Sequence, residues 1–145
     1  MTHRFRALTL LPFIPLILLA ACGGSPDGQA ETRQKADERP LQLAYEGLCD
    51  AAALSEEGDA WGAANEFGSN THAYLHELAA SLSSIDRAAA ARLLEAKERL
   101  ESVINTPDEA DPVELTRLLS DMREELGNAA VAAGLDEPSC QGDAD

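Results

Sequence analysis

From residue 40 onward, apolar side chains return every three or four positions. That is the period of an α-helix, not the alternation of a strand. Turn signals divide the run into four stretches, so the pattern predicts four helices. The first covers about residues 40–57, with Leu41, Ala44, Tyr45, Leu48, Ala51 and Ala52 along one stripe. Pro40 suits its first turn, where the missing N–H is not needed, and Gly58 is placed to end it. Asp59 then reads as the N-cap of the second helix. That helix carries the clearest stripe in the chain: Trp61, Ala64, Phe67, Thr71, Leu75, Leu78, Leu82 and Ile85. Ser83 and Ser84 loosen its end.

Asp86 is the next N-cap, and the third helix, residues 87–105, presents Ala90, Leu93, Leu100, Val103 and Ile104. Its outer face is expected to hold Glu95–Arg99 and Lys97–Glu101 at i,i+4 spacing, each worth roughly a few tenths of a kcal/mol. Pro107 stops it. Asp111-Pro112-Val113-Glu114 is a helix start in capping-box style, and the fourth helix buries Leu115, Leu118, Leu119, Met122, Leu126 and Ala129 before ending near Gly134. Four helices with short connections predict an all-α fold, an antiparallel four-helix up-down bundle over residues 40–135.

Upstream the pattern changes. Arg4 and Arg6, with His3, precede an apolar run from Leu8 to Leu19 that Pro12 and Pro15 interrupt; Ala20 and Ala21 follow. This is the three-part form of a secretory signal, residues 1–21, and it is shorter than the roughly 20 residues of a spanning helix. Residues 22–39 contain no apolar side chain larger than alanine beyond Cys22 and read as a flexible polar linker, reaching about 20–25 Å. Its second half, QAETRQKADER, lacks helix breakers.

Leu19-Ala20-Ala21-Cys22 resembles the lipobox of bacterial lipoproteins. The resemblance implies cleavage before Cys22, a thioether-linked diacylglycerol on its sulfur (palmitate and similar chains), and a lipid anchor in the cell membrane or outer membrane. The domain would then face the periplasm or the cell exterior. An ordinary secretory signal that happens to contain a cysteine is the other reading of the same residues.

The cysteine count agrees with export. The chain has 3 cysteines, an odd number. If Cys22 is consumed by the anchor, Cys49 and Cys140 are left to pair outside the cytoplasm. In an up-down bundle the fourth helix ends beside the start of the first. Cys49 sits about 12 Å up the first helix, and the six residues from Gly134 to Cys140 span up to about 20 Å. The tail, residues 136–145, can therefore be tied back by a disulfide.

Charge narrows the partners. Acidic residues number 26 against 11 basic ones, and the net charge of −15 becomes −17 once Arg4 and Arg6 leave with the signal. Nucleic-acid binding needs a basic surface, and so does electrostatic attraction to anionic lipid; both are disfavoured.

Candidate chemistry is sparse. His72 and His76 are helical neighbours beside the apolar stripe, where they read as boundary residues that pack and hydrogen-bond; the alternative is that they share zinc, copper or haem iron, although the sequence offers no evident third ligand. The imelysin-like group uses a GxHxxE motif in such helices, but Tyr74 and Leu75 stand here where its glutamate belongs. AALSEEGDAWGAANEF resembles the helix–turn–helix junction of a TPR unit, without the 34-residue repeat of a true array. The acid clusters at residues 56–59 and 108–111 match no calcium loop and read as solvated caps favourable at helix N-termini. No nucleophile motif is present, so no catalytic residue is expected. The resulting expectation is a non-enzymatic binding or accessory protein of the cell envelope, meeting another envelope protein through a groove at Gly62, Gly68 and Ala79. The alternative is an envelope metal or cofactor binder using His72 and His76.

Overall fold

The structure, a computed structural model, describes residues 26–140. The expected signal peptide and Cys22 lie outside them, as do residues 141–145. Four helical rods run antiparallel, up and down, and no strand occurs among the described residues. The first rod is α1, Pro26–Glu56. The second is α2, Ala60–Glu66, which passes through a π-helical turn, Phe67–Thr71, into α3, His72–Leu82. Then follow α4, Arg87–Ile104, and α5, Pro112–Ala132. α5 packs between α1 and α4, and the α2–α3 rod lies against α1 on one side and α4 on the other.

Helix starts follow the sequence closely. Asp59 accepts from the Gly62 amide at 2.8 Å. Asp86 accepts from Ala88 and Ala89, both at 3.0 Å. Asp111 accepts from Val113 at 2.9 Å and Glu114 at 3.0 Å. Each bond satisfies an N–H that the helix leaves without a partner. The Glu114 side chain does not complete a capping box. It turns to Arg117, at 2.8 Å.

Gly58 (φ +83°) and Gly134 (φ +78°) end α1 and α5 in the left-handed conformation. In both turns the amide of the next residue reaches back to the helix: Asp59 to the Leu54 carbonyl at 2.8 Å, Leu135 to Ala130 at 3.0 Å. That is the Schellman arrangement, and glycine adopts it without Cβ strain.

α1 begins earlier than expected. Pro40 lies inside it, not at its first turn. The breaker-free stretch 29–39 carries the helix upstream, and the proline costs one backbone bond without ending it.

A second departure is the π turn. Buried Ala63, Phe67, Thr71 and Leu75 are spaced by four residues each. In a regular α-helix each four-residue step turns the side chain about 40° round the axis, so the stripe would drift off the core. The extra residue of a π turn takes up the drift. It also rotates α2 by about 100° relative to a continuous helix extended from α3. Trp61, expected in the stripe, is consequently 62% exposed, and Ile85 beyond α3 is 67% exposed.

The core is leucine and alanine. Leu48, Leu75, Leu93, Leu100, Leu119 and Leu126 are fully buried, each burial contributing about 1.5–3 kcal/mol. Buried hydroxyls are satisfied across seams: Thr71 donates to the Ala44 carbonyl at 2.8 Å, and Ser55 meets Thr116 at 2.9 Å. At the first of these seams α1 and the π turn approach so closely that a Cβ on Gly47 would stand 2.8 Å from both Asn70 Cβ and Thr71 Oγ1.

Cys49 and Cys140 form the expected disulfide, with Cα atoms 6.0 Å apart and a separation of 91 positions in sequence. The tail runs back along α1: Gln42 Nε2 donates to the Ser139 carbonyl at 2.9 Å, and Pro138 is buried. Closing so long a loop stabilises the fold by about 4–5 kcal/mol on chain-entropy grounds.

Candidate functional site

Lys97 is not on the outer face of α4. It falls on the apolar stripe, four residues after Leu93 and three before Leu100, and its side chain is 6% exposed. Its spacing places it on that stripe, whereas the i,i+4 match to Glu101 alone points to an exposed pair. Burial of an ammonium is costly unless it is paired. Here Nζ sits 2.7 Å from Glu101 Oε2.

The other oxygen of the same carboxylate, Oε1, is 2.9 Å from His72 Nε2. His72 is the first residue after the π turn, which aims it across the α3–α4 seam. Glu101 therefore bridges a buried lysine of its own helix and a histidine of the preceding one. The His72 ring meets Phe67 edge-on with centroids 5.9 Å apart, and His76 with centroids 5.0 Å apart.

The structure thus brings His72 and His76 together, as their spacing requires. Among the described residues, no group of three or more His, Cys, Asp or Glu is arranged to hold a metal ion. Glu101 is bonded to His72 and already carries the Lys97 ammonium; a dication there would meet that charge at short range.

The structure does not bring Gly62, Gly68 and Ala79 to one open face. Ala79 is buried in the core at 4% exposure. A Cβ on Gly62 would strike the Asp59 cap carboxylate, while Gly68 has open space around it. Two other depressions exist near the α1 entry and the α5 exit. One, about 390 Å³, is lined by Pro40, Tyr74, Leu78, Ile85, Ala133 and Leu135, among others. The other, about 560 Å³, lies between the start of the packed part of α1 and the returning tail, with Leu41, Leu43 and Pro138 beside Glu38, Glu46 and Glu137.

At the opposite end, α1 turns into α2 and α4 into α5. Glu56, Glu57, Asp59, Asp108, Glu109 and Asp111 are all exposed there. Asp59 and Asp111 are caps. The other four are not: Glu56 and Glu57 stand at the C-terminal end of α1, where the helix dipole disfavours negative charge, and Asp108 and Glu109 lie in the loop after α4. The cap expectation therefore holds for two of the six. Trp61 stands among them, its Nε1 donating to Asp108 Oδ1 at 2.9 Å.

On the flank of α5, Arg117 joins Glu114 at 2.8 Å and Asp121 at 2.7 Å. Its hydrogen bonds hold the Glu114 carboxyl below the usual glutamate value, and Glu114 in turn raises the arginine.

Comparison with known proteins finds no matching family, no similar curated protein and no similar solved structure.

Proposed function

We propose that this chain is a lipid-anchored lipoprotein of a bacterial cell envelope, carrying a small non-enzymatic binding domain. The observation that carries the reading is the Cys49–Cys140 bond. Disulfides persist in oxidising compartments outside the cytoplasm. Pairing those two leaves Cys22 as the remaining thiol, and it stands directly after Ala20-Ala21 at the end of an apolar leader. Strong acidity favours a body that stays in water while the lipid holds the membrane.

Mass spectrometry of the protein isolated from bacterial membranes tests this. The expected N-terminal peptide begins at Cys22 and carries diacylglycerol, and Cys22→Ser moves the protein out of the membrane fraction or leaves it unprocessed. An unmodified sulfur at position 22, or a retained leader, overturns the anchor.

Metal or cofactor binding by His72 and His76 is the second reading. The contact of their rings favours it; the Lys97 charge beside Glu101 works against it. Zinc or copper retained by the wild type and lost in a His72→Ala/His76→Ala variant would support it.

A further inference from the structure

The end of the bundle formed by the α1–α2 and α4–α5 turns carries two features that the fold does not need. The first is an exposed aromatic ring. Trp61 is the chain's only tryptophan and is 62% exposed. Its N–H edge is fixed by Asp108, so the indole is held in place in water without joining the core. Rigid, solvent-facing tryptophans of this kind are the residues that most often anchor a partner. The second feature is negative charge that enters no salt bridge among the described residues. Residues 40–86 and 100–116 contain no lysine or arginine. Four of the six carboxylates at this end cap no helix, and Glu56 and Glu57 stand where the dipole of α1 disfavours them.

We infer that this end is a docking surface for a lysine- and arginine-rich polypeptide segment of another envelope protein, with Trp61 as its aromatic anchor. Charge complementarity selects the occupant. Among the described residues no lysine or arginine forms a salt bridge with Glu56, Glu57, Asp108 or Glu109, although Arg123 lines a depression with Glu56. A basic side chain can therefore pair with them, and a guanidinium or ammonium over the indole face gains a cation–π contact. Anionic lipid and nucleic acid are repelled by the same field. The inference rests on the proposed envelope reading for its setting: α1 has 31 residues, about 45 Å of helix, and would hold this end away from an anchored Cys22.

The test uses the intact protein in non-ionic detergent and a fluorescein-labelled decapeptide of alternating arginine and lysine, with a glutamine decapeptide as control. Anisotropy reads the affinity in each variant. Trp61→Ala is expected to weaken binding about fivefold. Replacing Glu56, Glu57, Asp108 and Glu109 by their amides is expected to weaken it about tenfold. Amides at Glu77, Glu124, Asp136 and Glu137, which remove the same charge elsewhere, are expected to change it less than about twofold. All these side chains are exposed, and circular dichroism checks that each variant is folded. Loss in the first two variants without loss in the third supports the surface. Any other pattern overturns it, including no binding of the basic peptide or equal loss in both amide variants, which would be bulk charge attraction. The titration does not depend on the lipid. A lipidated protein that ignores the peptide overturns this surface alone, and an unmodified Cys22 overturns the anchor alone.

Discussion

Two ionic networks in this molecule use the same chemistry in opposite surroundings. Glu101 is shared by Lys97 and His72 in the α3–α4 seam, with the lysine side chain 6% exposed. Arg117 is shared by Glu114 and Asp121 on the face of α5, with the arginine side chain 53% exposed. Both place one charged group between two partners at hydrogen-bonding distance. Water decides what each is worth. In the seam, His72 and Glu101 still touch water, but the Lys97 ammonium does not, so removing Glu101 strands that charge. On α5, every group can return to solvent, and the network adds little beyond the helix it decorates.

The most direct way to break this contrast is Glu101→Ala. It leaves the Lys97 ammonium buried without its carboxylate and is expected to cost about 3–5 kcal/mol, read from the urea midpoint at unchanged slope. A loss as small as that of a surface pair would mean that Lys97 reaches water unaided.

Burial without charge is the next comparison. Gly47→Ala in an open helix would gain roughly 0.5–1 kcal/mol. Here the new methyl meets Asn70 and Thr71, and a loss of about 1–3 kcal/mol is expected instead. The sign of the change is the readout. A gain would show that the α1–π turn seam yields easily.

Lys97→Met removes the buried charge but keeps a chain of similar length in the stripe. Its expected effect is within about 1 kcal/mol of zero, because Glu101 retains His72 and some contact with solvent. A loss as large as that of Glu101→Ala would mean that the ammonium itself stabilises the seam.

The smallest effect belongs to α5. The folded Glu114 carboxyl titrates below its ordinary value because Arg117 bonds to it. Its contribution is therefore fully present above the ordinary glutamate range and fades as acid carries the pH down through the lowered value. Glu114→Gln is expected to leave the neutral-pH midpoint nearly unchanged and to flatten the acid limb slightly, most visibly at low salt.

Much of this fold is legible residue by residue. The three aspartate caps, the two glycine stops, the leucine stripes and the Cys49–Cys140 pairing follow from rules of local geometry and redox chemistry, and the structure has them. What escaped depends on phase. Counting with one helical period from Leu75 back to Trp61 assumes no inserted residue, and the π turn inserts one. The tryptophan then leaves the core, and an apparent core residue becomes the most prominent feature of the acidic end. Lys97 departs for another reason: its partner four residues on fits the rule for an exposed pair, but its place in the stripe puts it inside. Pro40 misled because a proline marks a helix start only when nothing upstream can be helical.

The covalent link between α1 and the tail also bears on how the protein would be cut. A protease nicking the exposed connection at residues 105–111 would sever the backbone inside the ring that Cys49 and Cys140 close. The two pieces would travel as one band until a reductant opened the bridge, so the cut would stay silent on a non-reducing gel.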